Sequence, residues 1–303
     1  MSGPEEKTAK AAKNAKCPDS TAGKQEQQQT AATRLLKQTT GSIPRSDAEY
    51  LLMHLLAVKR HELYTGTPVS PAQSRRFSRM VATARTGKPV QYIVRSAPFL
   101  DLDLYVDQRV LIPRPETEEL VIRALGRLGS VPNRPALVVD YGTGSGCIAI
   151  ALARRLADAR LIAVDASKSA LAVALRNVQA CHLGRRVRLV HARNLDVPTL
   201  RRLRGRVDLL ISNPPYVPSV RIAILDRRVR EHEPRLSLDG GPKGTSIVGM
   251  LLEQGPRLLR PGGLLAVEID SSHGRFVRRL APTAEVEKDL AGRVRYVFLR
   301  RNT

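Results

Sequence analysis

The chain has 303 residues, room for about two domains, and 42 % of it is apolar, enough for a sizeable core. Fifty Lys and Arg against 28 Asp and Glu give a net charge of +22, a balance that attracts nucleic acid, ribosomes or anionic surfaces without naming any of them. No apolar run approaches the roughly 18 residues of a bilayer span, which excludes an integral helical membrane protein, and the scattered Cys17, Cys147 and Cys181 fit neither a disulfide framework nor a zinc cluster.

Residues 1–44 begin without an apolar leader, and Glu5 and Glu6 stand ahead of the first arginine, Arg34, so neither a secretory signal nor a transit peptide is expected. With the cysteine usage, this points to the cytoplasm. The segment holds seven basic and four acidic residues, so +19 of the charge falls on the remaining 259. It is mostly Lys, Ala, Gln, Thr and Ser, too poor in large apolar groups to offset ordering entropy, and is expected to be a disordered basic tail. Lys7, Lys10, Lys13 and Lys16 recur every third residue and would form a basic stripe only on a polyanion.

Order is expected from Ser46. Ser46 and Glu49 form a capping-box pattern, followed by Leu51, Leu52, Leu55, Leu56 and Val58 at helical spacing. Ser70-Pro71 opens a second helix with Phe77, Met80, Val81 and Ala84 on one face, and Gly87 ends it. These elements predict a helical domain over 45–93. Leu100, Leu102, Leu104 and Val106 then alternate with polar residues as a half-buried strand, within a hairpin or linker at 94–114. Leu111-Ile112-Pro113-Arg114-Pro115-Glu116-Thr117-Glu118 is held extended by its prolines and leads into a helix with acids in its first turn.

The rest, 115–303, alternates strand and helix. Strands are predicted at 136–140, 160–165, 187–191, 207–212 and 263–269, and helices near 146–156, 168–182, 197–204 and 244–260. This is the pattern of an α/β domain with a doubly wound, mostly parallel sheet. Val294 to Leu299 alternates after a short connection from Val286 and predicts an antiparallel edge hairpin.

The first strand ends at Asp140, and Gly142-Thr143-Gly144-Ser145-Gly146 turns into a helix. Glycines there permit positive φ and close backbone approach to a ligand, at the carboxyl ends of the strands where open α/β sheets bind cofactors. Asp165 ends the second strand, where an acid can accept from both hydroxyls of a ribose. The spacing is GxGxG rather than the GxGxxG that seats a pyrophosphate. A carboxylate at Asp140 would repel a pyrophosphate but tolerate a sulfonium or an ammonium. Both features favour S-adenosylmethionine over a dinucleotide.

Val207 to Ser212 reads as a buried strand ending in Asn213-Pro214-Pro215-Tyr216. An amide or aryl-amine nitrogen is a poor nucleophile because its lone pair is delocalised. The Asn213 side-chain oxygen and a proline carbonyl can each accept one N–H of a planar NH2, and Tyr216 can pack on the planar group. Such contacts orient the nitrogen for in-line attack and favour the charge that develops on it. No other constellation competes. Glu231-His232-Glu233 is a metal set on paper but reads as a solvated or locally bonded histidine, so no metal is expected, and Ser145 has no triad partners.

These residues resemble the HemK/PrmC glutamine-N5 methyltransferases, over about residues 46–301. The resemblance is carried by the Pro113-to-Glu118 segment, the glycine loop after Asp140, and Asn213 to Tyr216. Pro89-Val90-Gln91-Tyr92-Ile93, Glu233-Pro234 and Asp239-Gly240-Gly241 with Gly244 also carry it. Asn-Pro-Pro-Tyr is shared with adenine-N6 and guanine-N2 methyltransferases; Pro-Arg-Pro-Glu-Thr-Glu resembles the release-factor branch. The resemblance implies a helical recognition domain ahead of a class I S-adenosylmethionine-dependent methyltransferase domain. It implies transfer to the glutamine amide in the Gly-Gly-Gln loop of peptide chain release factors. Gly142 to Gly146 and Asp165 would hold the cofactor, and Asn213 to Tyr216 the glutamine. The family usually has Leu at Tyr141 and Gly at Arg95, and ends its third strand in an acid where Arg193 and Asn194 stand. Asn194 is expected to bond the adenine amine, with Asp196 the alternative for the acid. The charge and the shared Asn-Pro-Pro-Tyr keep open a nucleic-acid amino-group methyltransferase, and the departures at Arg193 and Asn194 permit a non-catalytic RNA- or ribosome-binding relative.

Overall fold

Order begins earlier than Ser46. In the computed structural model, which describes residues 30–128 and 134–302, Ala31–Gln38 is a helix, α1, capped by the Thr30 side chain. Ala32, Leu35 and Leu36 are buried with Leu51, Leu52 and Leu63. The expected disordered tail over 1–44 is therefore corrected from Thr30 onward. Leu35 and Leu36 look isolated among polar neighbours, and the partners that bury them come later in the chain. The Lys7-to-Lys16 stripe and Cys17 lie outside the described residues.

Helix α2, Arg45–Leu56, starts from Pro44 with no side-chain cap, which corrects the expected Ser46–Glu49 box. Glu49 is buried and receives Arg45 Nε at 3.0 Å, Arg60 Nε at 2.7 Å and the Tyr64 hydroxyl. Burial raises its pKa, but these donors outweigh burial and hold it below the usual range. Helix α3, Pro71–Arg85, has the full capping box of Ser70 and Gln73. Helix α4, Val90–Val94, ends at Arg95 with φ 60°. An arginine thus occupies a left-handed turn that favours glycine, a strain of about 1 kcal/mol.

Strands β1 (Ala97–Phe99) and β2 (Leu102–Leu104) form an antiparallel hairpin. Leu100 sits in its turn at φ 54° rather than in a strand, and its N–H is accepted by Glu118 Oε1 at 2.9 Å. That bond ties the hairpin to α5, Pro115–Leu128. The main sheet comprises β3 (Leu137–Tyr141), β4 (Arg160–Asp165), β5 (Val187–His191), β6 (Val207–Ser212), β7 (Leu259–Glu268), β8 (Glu285–Lys288) and β9 (Val294–Arg300). Its order is β5-β4-β3-β6-β7-β9-β8. The first five are parallel and β9 and β8 pair antiparallel at the edge.

Helix α5 precedes β3, α6 (Cys147–Arg155) follows β3, and α7 (Lys168–Ala180) follows β4. Leu120 and Ile150 of α5 and α6 join one apolar core with alternate strand residues such as Val138 and Leu209. After α8 (Pro198–Arg201) and α9 (Arg227–His232) come α10 (Ser246–Gln254) and α11 (Gly274–Leu280). Leu251 and Val277 of the last two join the other core, with Val139 and Leu210. β6 is buried at every position, as a central parallel strand covered on both faces must be. No helix among the described residues is long and apolar enough to cross a membrane.

Asp208 lies near the amino end of β6 and is 1 % exposed. Arg134 donates to both its oxygens at 2.9 and 3.0 Å, Arg260 Nε at 2.5 Å and Leu137 N at 2.8 Å. Burial raises its pKa, but the Leu137 N–H and the two guanidiniums outweigh burial and keep it low. The folded value is depressed, so the stabilisation is present above the unfolded carboxylate pKa of about 4 and is lost as pH falls through the folded value. Asp208→Ala leaves two arginines without their shared anion and is expected to cost about 3 kcal/mol, read by urea denaturation at pH 7.

Candidate active site

The carboxyl ends of β3, β4 and β6 surround a cavity of about 520 Å³, within the range that takes a cofactor-sized ligand. One wall is the turn after β3. Gly142, Gly144 and Gly146 adopt φ of 76°, 54° and 84°. Gly142 N and Thr143 N both bond Val164 O, at 2.8 and 2.9 Å. Asp165 accepts Gly144 N at 2.9 Å and Ser167 N at 2.8 Å, so the acid at the end of β4 shapes the glycine turn itself. Its pKa is raised by burial. Gly146 does not line the cavity. It caps α6, and a Cβ there would press on Ile150 at 3.3 Å and Ala174 at 3.5 Å.

Asp140 is fully buried beneath this turn. One oxygen accepts Thr143 Oγ1 at 2.6 Å and Ala149 N at 3.2 Å. The other has no partner, and neither does Ser145 Oγ on the cavity wall. Burial pushes the Asp140 carboxyl up to about 7. Ser145 Oγ, an orphaned polar atom on the cavity wall, is what a polar ligand would satisfy.

The adjoining wall is the end of β6. Ser212 Oγ donates to Tyr141 O at 2.6 Å and locks the two strand ends together. Asn213 and Pro215 line the cavity. Asn213 Nδ2 donates to Thr117 Oγ1 at 2.8 Å, Thr117 Oγ1 donates to Glu268 Oε2 at 2.8 Å, and the Tyr216 hydroxyl donates to Glu268 Oε1 at 3.0 Å. Tyr216 therefore does not stand where the sequence placed it. Its hydroxyl is spent on Glu268 and it is not a wall residue; Pro214 is buried and not a wall residue either. The Pro-Arg-Pro-Glu-Thr-Glu segment also borders the cavity, through Pro113, Arg114 and Thr117. Arg114 in turn holds Glu233 at 2.5 Å, next to the wall residue Pro234.

At the third strand, Arg193 reaches the wall and Asn194 does not. Asn194 is exposed and its Oδ1 accepts Asp196 N at 3.0 Å. Asp196 is exposed too, bound by Arg201 at 2.8 Å and Arg204 at 3.1 Å. The expected contact of Asn194 with an adenine amine, and the replacement acid at Asp196, are both corrected. Tyr141, in the place usually held by Leu, lines the cavity, and its hydroxyl donates to Arg193 O at 2.8 Å.

Sequence reasoning missed Glu268, Thr117 as a separate actor, and Tyr141. Glu268 had a signal: a carboxylate closing the apolar run Leu264-Leu265-Ala266-Val267 must find buried partners. The link from Thr117 to Glu268 spans 151 residues, and no local pattern shows it.

The chain is similar to known proteins over most of its length. The family described as PrmC N-terminal domain matches residues 27–94, and the methyltransferase small domain matches 128–241. The release factor glutamine methyltransferase of Chlorobaculum tepidum is 41 % identical over 243 residues, 78 % of this chain and 82 % of that protein. That of Nitratidesulfovibrio vulgaris is 38 % identical over 269 residues, covering 86 % and 89 %. That of Mycobacterium tuberculosis is 37 % identical over 281 residues, covering 89 % of each. Among solved structures, the hMettl16 catalytic domain in complex with MAT2A 3'UTR hairpin 6 superposes with a TM-score of 0.53 at 13 % identity, over 74 % of this chain and 82 % of that one. At that identity the likeness is one of fold.

Proposed function

The chain belongs to the release factor glutamine methyltransferases, with the class I S-adenosylmethionine-dependent fold, and from that membership we propose how its cavity works. The glycine-loop wall holds the cofactor, and the Asn213 wall holds the glutamine amide of a release factor's Gly-Gly-Gln loop. The observation that carries this is the meeting of both walls in one cavity of about 520 Å³.

The residues present fit the cofactor. The bent backbone of Gly142 to Gly144 admits a close ligand, Asp165 keeps lone pairs for ribose hydroxyls, and the orphaned Ser145 Oγ on the wall suits its ammonium end, with the Asp140 carboxyl buried behind the turn. Bound there, S-adenosylmethionine supplies an electrophilic methyl group on a sulfonium. Asn213 Oδ1 accepts one N–H of the substrate amide, and a backbone carbonyl of the Asn-Pro-Pro-Tyr turn accepts the other. Held this way, the nitrogen is aimed and its developing positive charge is offset by two acceptor dipoles. The nitrogen held there would take up the methyl group and then give its proton to water. The roles of these groups are positional and electrostatic, not acid–base.

The helical unit ahead of the hairpin is proposed to recognise the release factor, with 115–303 as the transferase domain. Arg228 of α9 holds Asp47 of α2 at 2.6 Å, close in sequence to the wall residue Pro234, which supports a link between recognition and cavity. Exposed Arg160, Arg185, Arg202 and Arg206 stand at or just before the amino ends of β4, β5 and β6, the pole away from the cavity. They support an accessory association with RNA or the ribosome that weakens steeply with salt.

The deciding experiment is transfer of labelled methyl from S-adenosylmethionine to purified release factor, beside a copy whose Gly-Gly-Gln glutamine is alanine. Label on the unaltered factor alone is expected. No label on either, with cofactor bound, would turn the assignment toward nucleic-acid amino groups. Asp165→Ala is expected to weaken cofactor affinity about 10- to 100-fold, read by calorimetry, because it removes charged acceptors and the bond that shapes the Gly144 turn.

A further inference from the structure

The side-chain amide of Asn213 has two faces, and only one of them is useful. Its oxygen can accept an N–H from a substrate amide; its NH2 would oppose that amide's own donors. Nothing in Asn213 itself selects between them. The surrounding network does. Thr117 Oγ1 has a single proton and gives it to Glu268 Oε2 at 2.8 Å. What remains on that oxygen toward Asn213 is lone pairs, so the atom 2.8 Å away must be Nδ2, and Oδ1 is left for the cavity.

Resting on the functional reading above, we propose that Thr117 and Glu268 are positioning residues that hold Asn213 in its acceptor orientation. Glu268 accepts from Thr117 with one oxygen and from Tyr216 with the other. Only the carboxylate can accept from both while donating to neither. Were Glu268 protonated on Oε2, it would donate to Thr117 Oγ1, the Thr117 hydroxyl proton would turn to Asn213, and the amide would present its NH2 to the substrate.

Glu268 is 1 % exposed. The groups that face it are Thr117 and Glu116 of α5, Tyr216 after β6, and Arg295 and Tyr296 of β9, the last paired with it across the sheet. Burial raises its pKa, the bonds from Thr117 and Tyr216 and the charge of Arg295 lower it, and Glu116 raises it, leaving it at about 7. The switch from acceptor to donor then falls within the working pH range.

The test measures kcat, KM for release factor and cofactor affinity for wild type, Thr117→Val, Thr117→Ser and Glu268→Gln across pH 6–9. Thr117→Val keeps the shape and loses the hydroxyl. It is expected to lower kcat about 100-fold at pH 8, with KM and cofactor affinity within about threefold. Thr117→Ser is expected to recover at least about tenfold of that loss, which a packing role alone would not give. Wild-type kcat is expected to fall below about pH 7, and Glu268→Gln to be slow throughout without that limb. A Thr117→Val enzyme within about threefold of wild type, or a Thr117→Ser enzyme no better than Thr117→Val, would overturn the proposal. If Thr117→Val shows no cooperative unfolding transition, Glu268→Gln decides: an unchanged rate with the limb retained overturns it. Wild type that binds cofactor and methylates no release factor overturns the functional reading and this proposal together, whereas an active wild type beside an active Thr117→Val overturns the proposal alone.

Discussion

Asn213→Ala is expected to lower kcat for release factor methylation by about 10²- to 10³-fold while leaving cofactor affinity within about twofold. The two effects separate because the Asn213 side chain takes no part in shaping the glycine turn. The glycine turn is shaped by Val164 O and Asp165, none of which Asn213 touches. On the other wall, alanine removes the acceptor that aims the substrate nitrogen, and no neighbouring side chain of the network can replace it. Thr117 keeps its bond to Glu268 and loses one donor, so stability should fall by only about 1 kcal/mol. Single-turnover transfer with saturating cofactor, alongside calorimetric titration of the cofactor, reads both quantities. A loss of rate matched by an equal loss of cofactor affinity would show that Asn213 serves the wrong wall.

What could be read from the chain follows the range of the forces involved. The alternation of strand and helix, the glycine turn after Asp140 and the buried strand ending at Asn213 are local patterns with local causes, and the structure shows each of them. The misplacements are of another kind. Leu35 and Leu36 become core only because Leu51, Leu52 and Leu63 come to meet them. Glu49 fits a capping pattern, but tertiary donors from Arg60 and Tyr64 claim it. Tyr216 has the shape to stack on an amide, and a carboxylate 52 residues away takes its hydroxyl. Asn194 stands at the right distance along the chain from β4, but the turn after β5 folds its side chain back onto Asp196 N. In each case the partner is set by the tertiary fold or by a local turn, and the pattern around the residue does not reveal it.

The carboxylates of this site also put the folded state under tension. Asp140 and Glu268 are buried, and each is pushed up to about 7 by that burial. A raised folded pKa means that their contribution to stability is fully present below the unfolded value of about 4 and is lost as pH rises through 7. The network needs Glu268 ionised, so activity and stability should move in opposite directions across neutral pH. The opposite pole behaves the other way: Asp208, held low by Leu137 N–H, Arg260 and Arg134, stabilises most where Glu268 stabilises least.

The loop that carries Asn213 is set by backbone packing as much as by side chains, and Gly240→Ala tests this without altering any cavity-lining residue. Val217 N bonds Leu238 O, and Gly240 N bonds Val217 O, so 238–240 lies directly against the Asn-Pro-Pro-Tyr turn. A Cβ at Gly240 would stand 2.6 Å from Gly244 O, 2.8 Å from Pro215 O and 2.8 Å from Tyr216 Cα, all of them backbone atoms that no rotamer change can move. Gly244 is as tightly placed: at φ 74°, its Cβ would meet Tyr216 O at 2.3 Å. Relief requires Pro215 and Tyr216 to shift, and Asn213 lies on the same rigid turn. A displacement of about 1 Å at a positioning group costs about 100-fold in rate, so Gly240→Ala is expected to lower kcat by about that factor. Forced overpacking against backbone should also cost about 3 kcal/mol of stability. Gly41→Ala is the control: at φ 80° with nothing within 4 Å of the added carbon, it carries backbone strain alone. It should cost about 1 kcal/mol and leave kcat where it was. Equal stability losses in the two variants, or a Gly240→Ala enzyme at full rate, would mean that the turn tolerates the displacement and that the cradle at 238–244 does not hold the substrate wall in place.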